Sequence, residues 1–336
     1  MTATHQRIVL ASRPQGWVTT DNFRLERVPV PAPGPGQLRV RNHYLSLDPY
    51  MRGRMEETKS YAESQKLGET MIGSTVGVVD ASNHPGFAIG DTVVGMFGWQ
   101  EYGLSDGTQL LKVDTRAVPM SAYLGAVGMP GVTAWYGLNR ICRPKAGETV
   151  LVSAASGAVG SVVGQLARQA GCRVIGIAGG QEKCEYVVAE LGFDACIDHR
   201  RHGEVKSMVR ALREAAPSGI DGLFENVGGT CLDAALACMN PFGRIALCGL
   251  IAGYNGQDIA IHSVRALLVS RLEVRGFIVS DHMEDWPQAL AELGRGVATG
   301  SIKYRESIAE GLASAPEAFI GLLQGRNFGK QLVKLA

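Results

Sequence analysis

A chain of 336 residues, 46% hydrophobic and 19% charged, with a formal net charge of +1, has the makeup of a soluble globular protein long enough for two domains. Nothing in that charge balance suggests nucleic acid or an anionic membrane as a partner, and no apolar run reaches the roughly eighteen residues of a membrane span. The opening MTATHQRIVLASRP lacks the apolar core of a signal peptide, so the expected address is the cytoplasm. Seven cysteines, an odd number scattered singly from Cys142 onward, fit reduced thiols rather than a disulfide framework.

The first predicted elements are short. GQLRVRNHYLSL, STVGVVDA, DTVVGM and TQLLKV are rich in Val and Leu and separated by Gly, Pro, Asp and Asn, which predicts antiparallel β structure over residues 1–121. The prolines Pro29, Pro31, Pro33 and Pro35 read as a rigid connection before a strand. This stretch holds no cysteine, and its histidines, His5, His43 and His84, stand far apart, so no metal site is expected in it.

From residue 122 to 300 the pattern changes to strands alternating with helices, a doubly wound parallel sheet. Six strands are predicted: around Val150–Val152, Cys172–Ala178, Ala195–Asp198, Ile220–Val227, Arg244–Cys248 and Leu272–Val279. In VLVSAASGAVGSVVGQLA the first strand stops at small residues and a helix is expected to open near Gly157. Its unpaired amides and positive dipole end suit a diphosphate. Gly157 and Gly160 permit close approach of backbone, Gly164 aids packing, and Ala155 stands where a strict G-x-G-x-x-G has its first glycine. The second strand ends at Ala178, Gly179, Gly180, without the acid that would grip ribose hydroxyls and repel a phosphate; Lys183 follows. That favours NADP(H) over NAD(H), with Lys183 at the 2′-phosphate and His199 and Arg200 able to close the same pocket. Asn226, before Gly228 and Gly229, and Gly249, after Cys248, fall at C-terminal strand ends, where ligands of this architecture sit. Beyond residue 300 a strand near Tyr304, a helix around Pro316–Gln324 and a final strand GKQLVKLA are expected to return to the first domain, leaving a cleft between the two.

YLSLDPYMRGRM (44–55), GMPGVTAWYGL (128–138), AASGAVGSVVGQLA (154–167), ENVGG (225–229), CGLIAGYN (248–255) and GRNFGKQLVK (325–334) resemble, in order and spacing, the zinc-free medium-chain dehydrogenase/reductases of the prostaglandin, alkenal and curcumin reductase group. The resemblance covers nearly the whole chain. It implies a GroES-like β domain (1–121 and 301–336) joined to a Rossmann domain (122–300). It also implies that Gly157, Ala158, Val159 and Gly160 hold the diphosphate and Lys183 the 2′-phosphate. Asn226, Cys248 to Tyr254, Phe277, Ile278, Val279 and Asn327 would complete the cofactor site. His199 stands where the family often has a tyrosine. Zinc-dependent relatives would carry a cysteine near Ser46 and a histidine near Ser74, and this chain has neither.

The reaction implied is NADPH-dependent reduction of a carbon–carbon double bond conjugated to a carbonyl, in enones and enals. Hydride goes to the β-carbon, and charge collects on the carbonyl oxygen as an enolate. A neutral hydroxyl suits that oxygen, since a phenol with a reference pKa near 10 stays protonated at neutral pH. Tyr254 is the first expected donor and Tyr50 the second, as a wall or donor in the β domain, while Arg52 is a candidate for an acidic or oxygen-rich substrate. An NADPH:quinone oxidoreductase of the same superfamily and an NADPH-binding redox sensor without turnover are the competing readings. A homodimer paired along the last sheet strand near Leu272–Val279 is expected from the resemblance.

Overall fold

The computed structural model describes residues 3–336. In chain order the first part carries strands β1 (Thr4–Leu10), β2 (Phe23–Pro29) and β3 (Leu38–Ser46), a short helix α1 (Tyr50–Arg54), then β4 (Thr75–Ser82), β5 (Thr92–Gly95), β6 (Tyr102–Ser105) and β7 (Leu111–Lys112). Helix α2 (Met129–Tyr136) leads into β8 (Thr149–Ser153), α3 (Gly160–Gln169), β9 (Arg173–Ala178), α4 (Gln181–Ala189), β10 (Ala195–Asp198), α5 (Val205–Ala215) and β11 (Ile220–Glu225). The remainder is α6 (Gly229–Leu236), β12 (Met239–Leu247), α7 (Arg265–Val269), β13 (Glu273–Gly276), α8 (Trp286–Ala298), β14 (Glu306–Glu310), α9 (Ala315–Leu323) and β15 (Lys330–Lys334). No helix among the described residues is long and apolar enough to cross a membrane.

Two compact units result. The chain up to Gly125 together with Glu306–Ala336 forms one, and Ala126–Arg305 forms the other. In the first unit β1 and β2 make an antiparallel pair, and a second sheet runs β14-β15-β3-β4-β5-β7 with β6 also on β3. All its pairings are antiparallel except β14 with β15. Its core of Leu, Ile, Val and Met side chains holds an aromatic group: Phe23 stacks on Trp99 at 5.2 Å between ring centres, and Phe319 from α9 meets both rings edge-on. Such pairs add about 0.5–1.5 kcal/mol each beyond the area they bury. That core ties the C-terminal segment to the N-terminal strands.

The second unit is one six-stranded sheet in the order β10-β9-β8-β11-β12-β13, every pair parallel. This is the doubly wound order, whose ligand crevice opens at the C-terminal ends of the strands on either side of the first strand, here β8. β8 is buried at all five positions, as a parallel strand covered on both faces must be, and its neighbour β11 is buried at five of six. Residues 301–305 stay with this unit. Gln165 clamps Lys303 from both sides, donating Nε2 to its carbonyl at 2.8 Å and accepting its N–H at 2.8 Å, while Ile302 is buried in the core.

Candidate cofactor and active site

The turn between β8 and α3 is longer than its glycines suggest. The helix begins at Gly160 rather than near Gly157, because residues 154–159 are spent on a turn in which the Gly157 N–H donates to the Ala154 carbonyl at 2.9 Å. Ala154 holds φ at +50°, a conformation an alanine adopts only under constraint. A methyl at Gly160 would lie 2.4 Å from the Ala154 oxygen, so glycine is required there. The missing first glycine is compensated across the sheet. Ala155 is fully buried over Gly176 of β9, where a second methyl would come within 2.8 Å of its own. A methyl at Gly164 would strike Phe193 at 1.8 Å, which gives that glycine a packing role. Val159 caps the ten-residue helix without a side-chain hydrogen bond; Ser161 and Val162 donate their N–H groups to the Gly157 and Val159 carbonyls, so the positive dipole end at Gly160 is what the helix offers an anion.

At the end of β9, Gly180 starts α4 with φ at +101° and donates its N–H to Asp198 Oδ1 at 2.7 Å. The same oxygen takes the Arg200 N–H at 3.0 Å. Asp198 thus folds the segment after β10 back over Gly179 and Gly180: added methyls there would lie 2.8 Å from His199 Nε2 and 3.2 Å from Arg200 Nη1. Burial and then the Arg200 charge hold the Lys183 ammonium below its ordinary pKa, with Glu182 opposing. His199 is lowered by desolvation, with Asp198 acting against that and Arg200 and Lys183 adding to it. Lys183 and Arg200 therefore lie close enough to repel one another, with the His199 ring, its proton disfavoured by burial, beside them at the strand end where a 2′-phosphate is expected.

The ends of β11 and β12 form the next group. Asn226 donates its backbone N–H to Ser153 Oγ and its Nδ2 to the Ser153 carbonyl, both at 2.8 Å, which fixes it beside the end of β8. Cys248 and Gly249 donate their N–H groups to the Glu225 carbonyl, and Ile251 donates to that of Asn226. The loop after β12 thereby folds over ENVGG. Tyr254 follows a single 3₁₀ turn, Ile251–Gly253, and its Oη accepts the Leu250 N–H at 3.5 Å. A methyl on Gly249 would lie 3.4 Å from both that hydroxyl and the Asn226 carbonyl, so Asn226, Gly249 and Tyr254 share one corner. Phe277 turns its ring onto Tyr136 and Phe224, leaving its backbone rather than its ring for a ligand. Ile278 is half-buried and Val279 buried just past β13.

Sequence reasoning missed Glu225. It is fully buried, accepts the N–H groups of Val227 at 2.7 Å and Gly228 at 2.6 Å, and is pushed up to about 7 by desolvation, against those bonds and Ser153. An acid ending an apolar strand immediately before Asn-Val-Gly-Gly was the available signal.

In the other unit, Tyr50 opens α1 with its phenol pushed far up by burial and then by Asp48, which keeps it a hydroxyl. Arg52 differs from expectation. It is 1% exposed, pairs with Glu56 at 2.7 Å and donates to the Gly16 carbonyl at 2.8 Å, because one helical turn places Glu56 against it; it braces α1 and does not face solvent. Asn327 lies between α9 and β15, with Nδ2 donating to the Gly329 carbonyl at 2.8 Å. Ser46 and Ser74, at the positions of expected zinc ligands in zinc-dependent relatives, are joined by the Ser46 N–H at 2.9 Å. The Ser46 hydroxyl donates to Asp48 Oδ2, and Asp48 Oδ1 takes the Lys330 ammonium at 2.7 Å. Among the described residues no group of three or more His, Cys, Asp or Glu side chains is placed to hold a metal ion.

Comparison with known proteins extends over both units. The model of the N-terminal domain of oxidoreductase matches residues 6–113, and the model titled zinc-binding dehydrogenase matches residues 158–295. The chain is 45% identical to the NADPH-dependent curcumin reductase of Escherichia coli, covering 99% of this chain and 97% of that one. It is 41% identical to the NADP-dependent 2-alkenal reductase of Nicotiana tabacum, covering 99% and 98%. Among solved structures, CurA from Vibrio vulnificus in complex with NADPH superposes with a TM-score of 0.92 at 46% identity, covering 98% and 99%. With likeness at this level along its whole length, the chain belongs to the medium-chain dehydrogenase/reductase family, in the zinc-free group of curcumin, 2-alkenal and prostaglandin reductases.

Proposed function

We propose that this protein catalyses NADPH-dependent reduction of the carbon–carbon double bond of α,β-unsaturated carbonyl compounds. The observation that carries the cofactor half is that His199 and Arg200 lie against Gly179 and Gly180 at the end of β9, with Lys183 near enough to Arg200 for its charge to lower the Lys183 pKa. A group bearing a phosphate on its ribose relieves that repulsion; a bare ribose does not. The names of the curcumin and alkenal reductases support the substrate half.

NADPH, when bound, supplies the hydride. Ala158, Val159 and Gly160 offer backbone amides to its diphosphate, Gly157 shapes the turn that presents them by its bond to Ala154, and Lys183 and His199 hold the extra phosphate. Asn226, Cys248, Gly249 and the backbone of Phe277, Ile278 and Val279 line the strand ends for the remainder, with Asn327 as the family's further contact. The Tyr254 hydroxyl, held over Gly249, donates to the substrate carbonyl oxygen as negative charge gathers there; the Tyr50 phenol, kept protonated by burial, is the alternative donor. Donation that strengthens only as charge develops lowers the barrier without tightening substrate binding.

A second copy of the chain is the proposed cover for β13. Val264, Leu268, Val269 and Val274 are exposed on and beside that edge, Leu268 at 79%. The test of the reaction is NADPH oxidation against simple enones, enals and quinones in parallel. Turnover with enones and enals is expected. Quinone turnover alone would transfer the protein to quinone reduction, and tight NADPH binding with no turnover on any of them would leave it a sensor.

A further inference from the structure

The start of α4 carries a feature that the proposed reaction does not use. Cys184, immediately after Lys183, and Cys196, in β10 two residues before Asp198, bring their sulfurs to 3.1 Å. Cys196 Sγ lies over Gly176 of the sheet, and both thiols approach the backbone at Ala178, where β9 ends. Both cysteines are half-buried, as are Cys238 and Cys248, whereas Cys142, Cys172 and Cys231 are buried; of the half-buried thiols, Cys184 and Cys196 are the two whose sulfurs meet.

We propose that Cys184 and Cys196 form an oxidant-responsive thiol pair, closed to a disulfide by hydroperoxides, and that closure weakens binding of the phosphate-bearing cofactor at the neighbouring Lys183. The cofactor part rests on the NADPH reading above. The hydrogen bond from Cys196 draws the Cys184 thiol below its ordinary pKa and raises that of Cys196, which makes Cys184 the nucleophile. Its thiolate attacks one peroxide oxygen, the O–O bond breaks and hydroxide leaves, giving a sulfenic acid on Cys184. Deprotonated Cys196 then attacks that sulfur and displaces a second hydroxide. Two thiols lose two electrons and two protons, and hydrogen peroxide becomes two waters.

An S–S bond near 2.05 Å asks the sulfurs to approach by about 1 Å. Cys196 is held in register against Gly176, while α4 begins at Gly180 beside a second glycine. The first turn of α4 is therefore the part that moves, and Lys183 moves with it.

The experiment treats the full-length cofactor-free protein with about one equivalent of hydrogen peroxide, digests it without reductant and analyses the peptides by mass. The expected product is the Cys184 and Cys196 peptides joined, lighter by two hydrogens and separated by dithiothreitol. Calorimetry on treated and untreated protein should show NADPH weakened at least about fivefold and NADH little changed, reversibly. Cys184→Ser and Cys196→Ser should each abolish the response. Oxidation that leaves the two peptides unjoined, or a joined pair with unchanged NADPH affinity, overturns the proposal. Untreated protein that fails to prefer NADPH over NADH would instead overturn the cofactor reading, because the cross-link is read by mass alone.

Discussion

Two clusters of charge make an instructive pair, one in each unit. In the β-rich unit Ser46, Asp48 and Lys330 are all at least 95% buried, and they spend their hydrogen bonds on one another and on the Leu47 carbonyl. In the Rossmann unit Lys183 and Arg200 set like charges near one another at a strand end, where His199 and Arg200 cover two glycines. The first closes on itself and contributes structure. The second is held together at a cost that a bound anion removes. Mutual satisfaction inside the fold marks a structural cluster, and like charge gathered at a strand end marks a binding one.

The sharpest way to break that contrast is Lys330→Met. It leaves the buried Asp48 carboxyl without its cation, and the unfolding free energy should fall by about 3–5 kcal/mol, read from denaturant midpoints. Adding Asp48→Asn should recover much of the loss. A single variant as stable as the parent would show that the buried pair is not a structural clamp.

Glu225 tests the same idea with an acid that has no cation. Burial pushes its carboxyl up to about 7 in the folded state, above the 4.5 of an exposed glutamate, so the folded state holds a proton that the unfolded chain releases. The stability this contributes is fully present below pH 4.5 and is lost as pH rises through 7, about 3 kcal/mol in all. Thermal unfolding from pH 5 to 8 should show this decline in the parent and a shallower one in Glu225→Gln. Identical slopes would remove the buried proton from the account.

Lys183→Ala addresses the binding cluster itself. Removing one charge-assisted contact should weaken NADPH by about 1–3 kcal/mol and leave NADH nearly unaffected. An equal loss for both cofactors would move the phosphate elsewhere and dissolve the comparison.

The alternation of strand and helix made the Rossmann unit readable, because its central strands β8, β9 and β11 are largely apolar and buried. The strand ends at Gly179, Asn226 and Gly249 followed from that sheet. The helix start was read three residues early, since Gly157 looks like a cap but bonds back to Ala154. β1 and β2 escaped notice because β2 alternates Arg and Glu with apolar residues and buries only Phe23. Asp48 and Lys330 are separated by 282 residues, so no local pattern could announce them. Arg52, offered by sequence as a substrate contact, is instead buried against Glu56 by the turn of α1. Local spacing encodes what one strand–turn–helix builds, and pairs joined only by tertiary folding are silent in it.

Tyr254→Phe carries the smallest free-energy change and the most chemical information. The hydroxyl lies beside the Leu250 amide and over Gly249, so its loss removes a donor without opening a large cavity. If it donates to the substrate oxygen as charge develops, kcat should fall about tenfold or more, near 1.4 kcal/mol, while NADPH affinity is retained. A raised KM with normal kcat would make Tyr254 a binding contact. Unchanged turnover on several enones would leave Tyr50 as the remaining hydroxyl, its phenol kept protonated by burial and by Asp48. In that case the anion stabilised by the β-rich unit would be the substrate's, and the division between a structural unit and a binding unit would no longer hold.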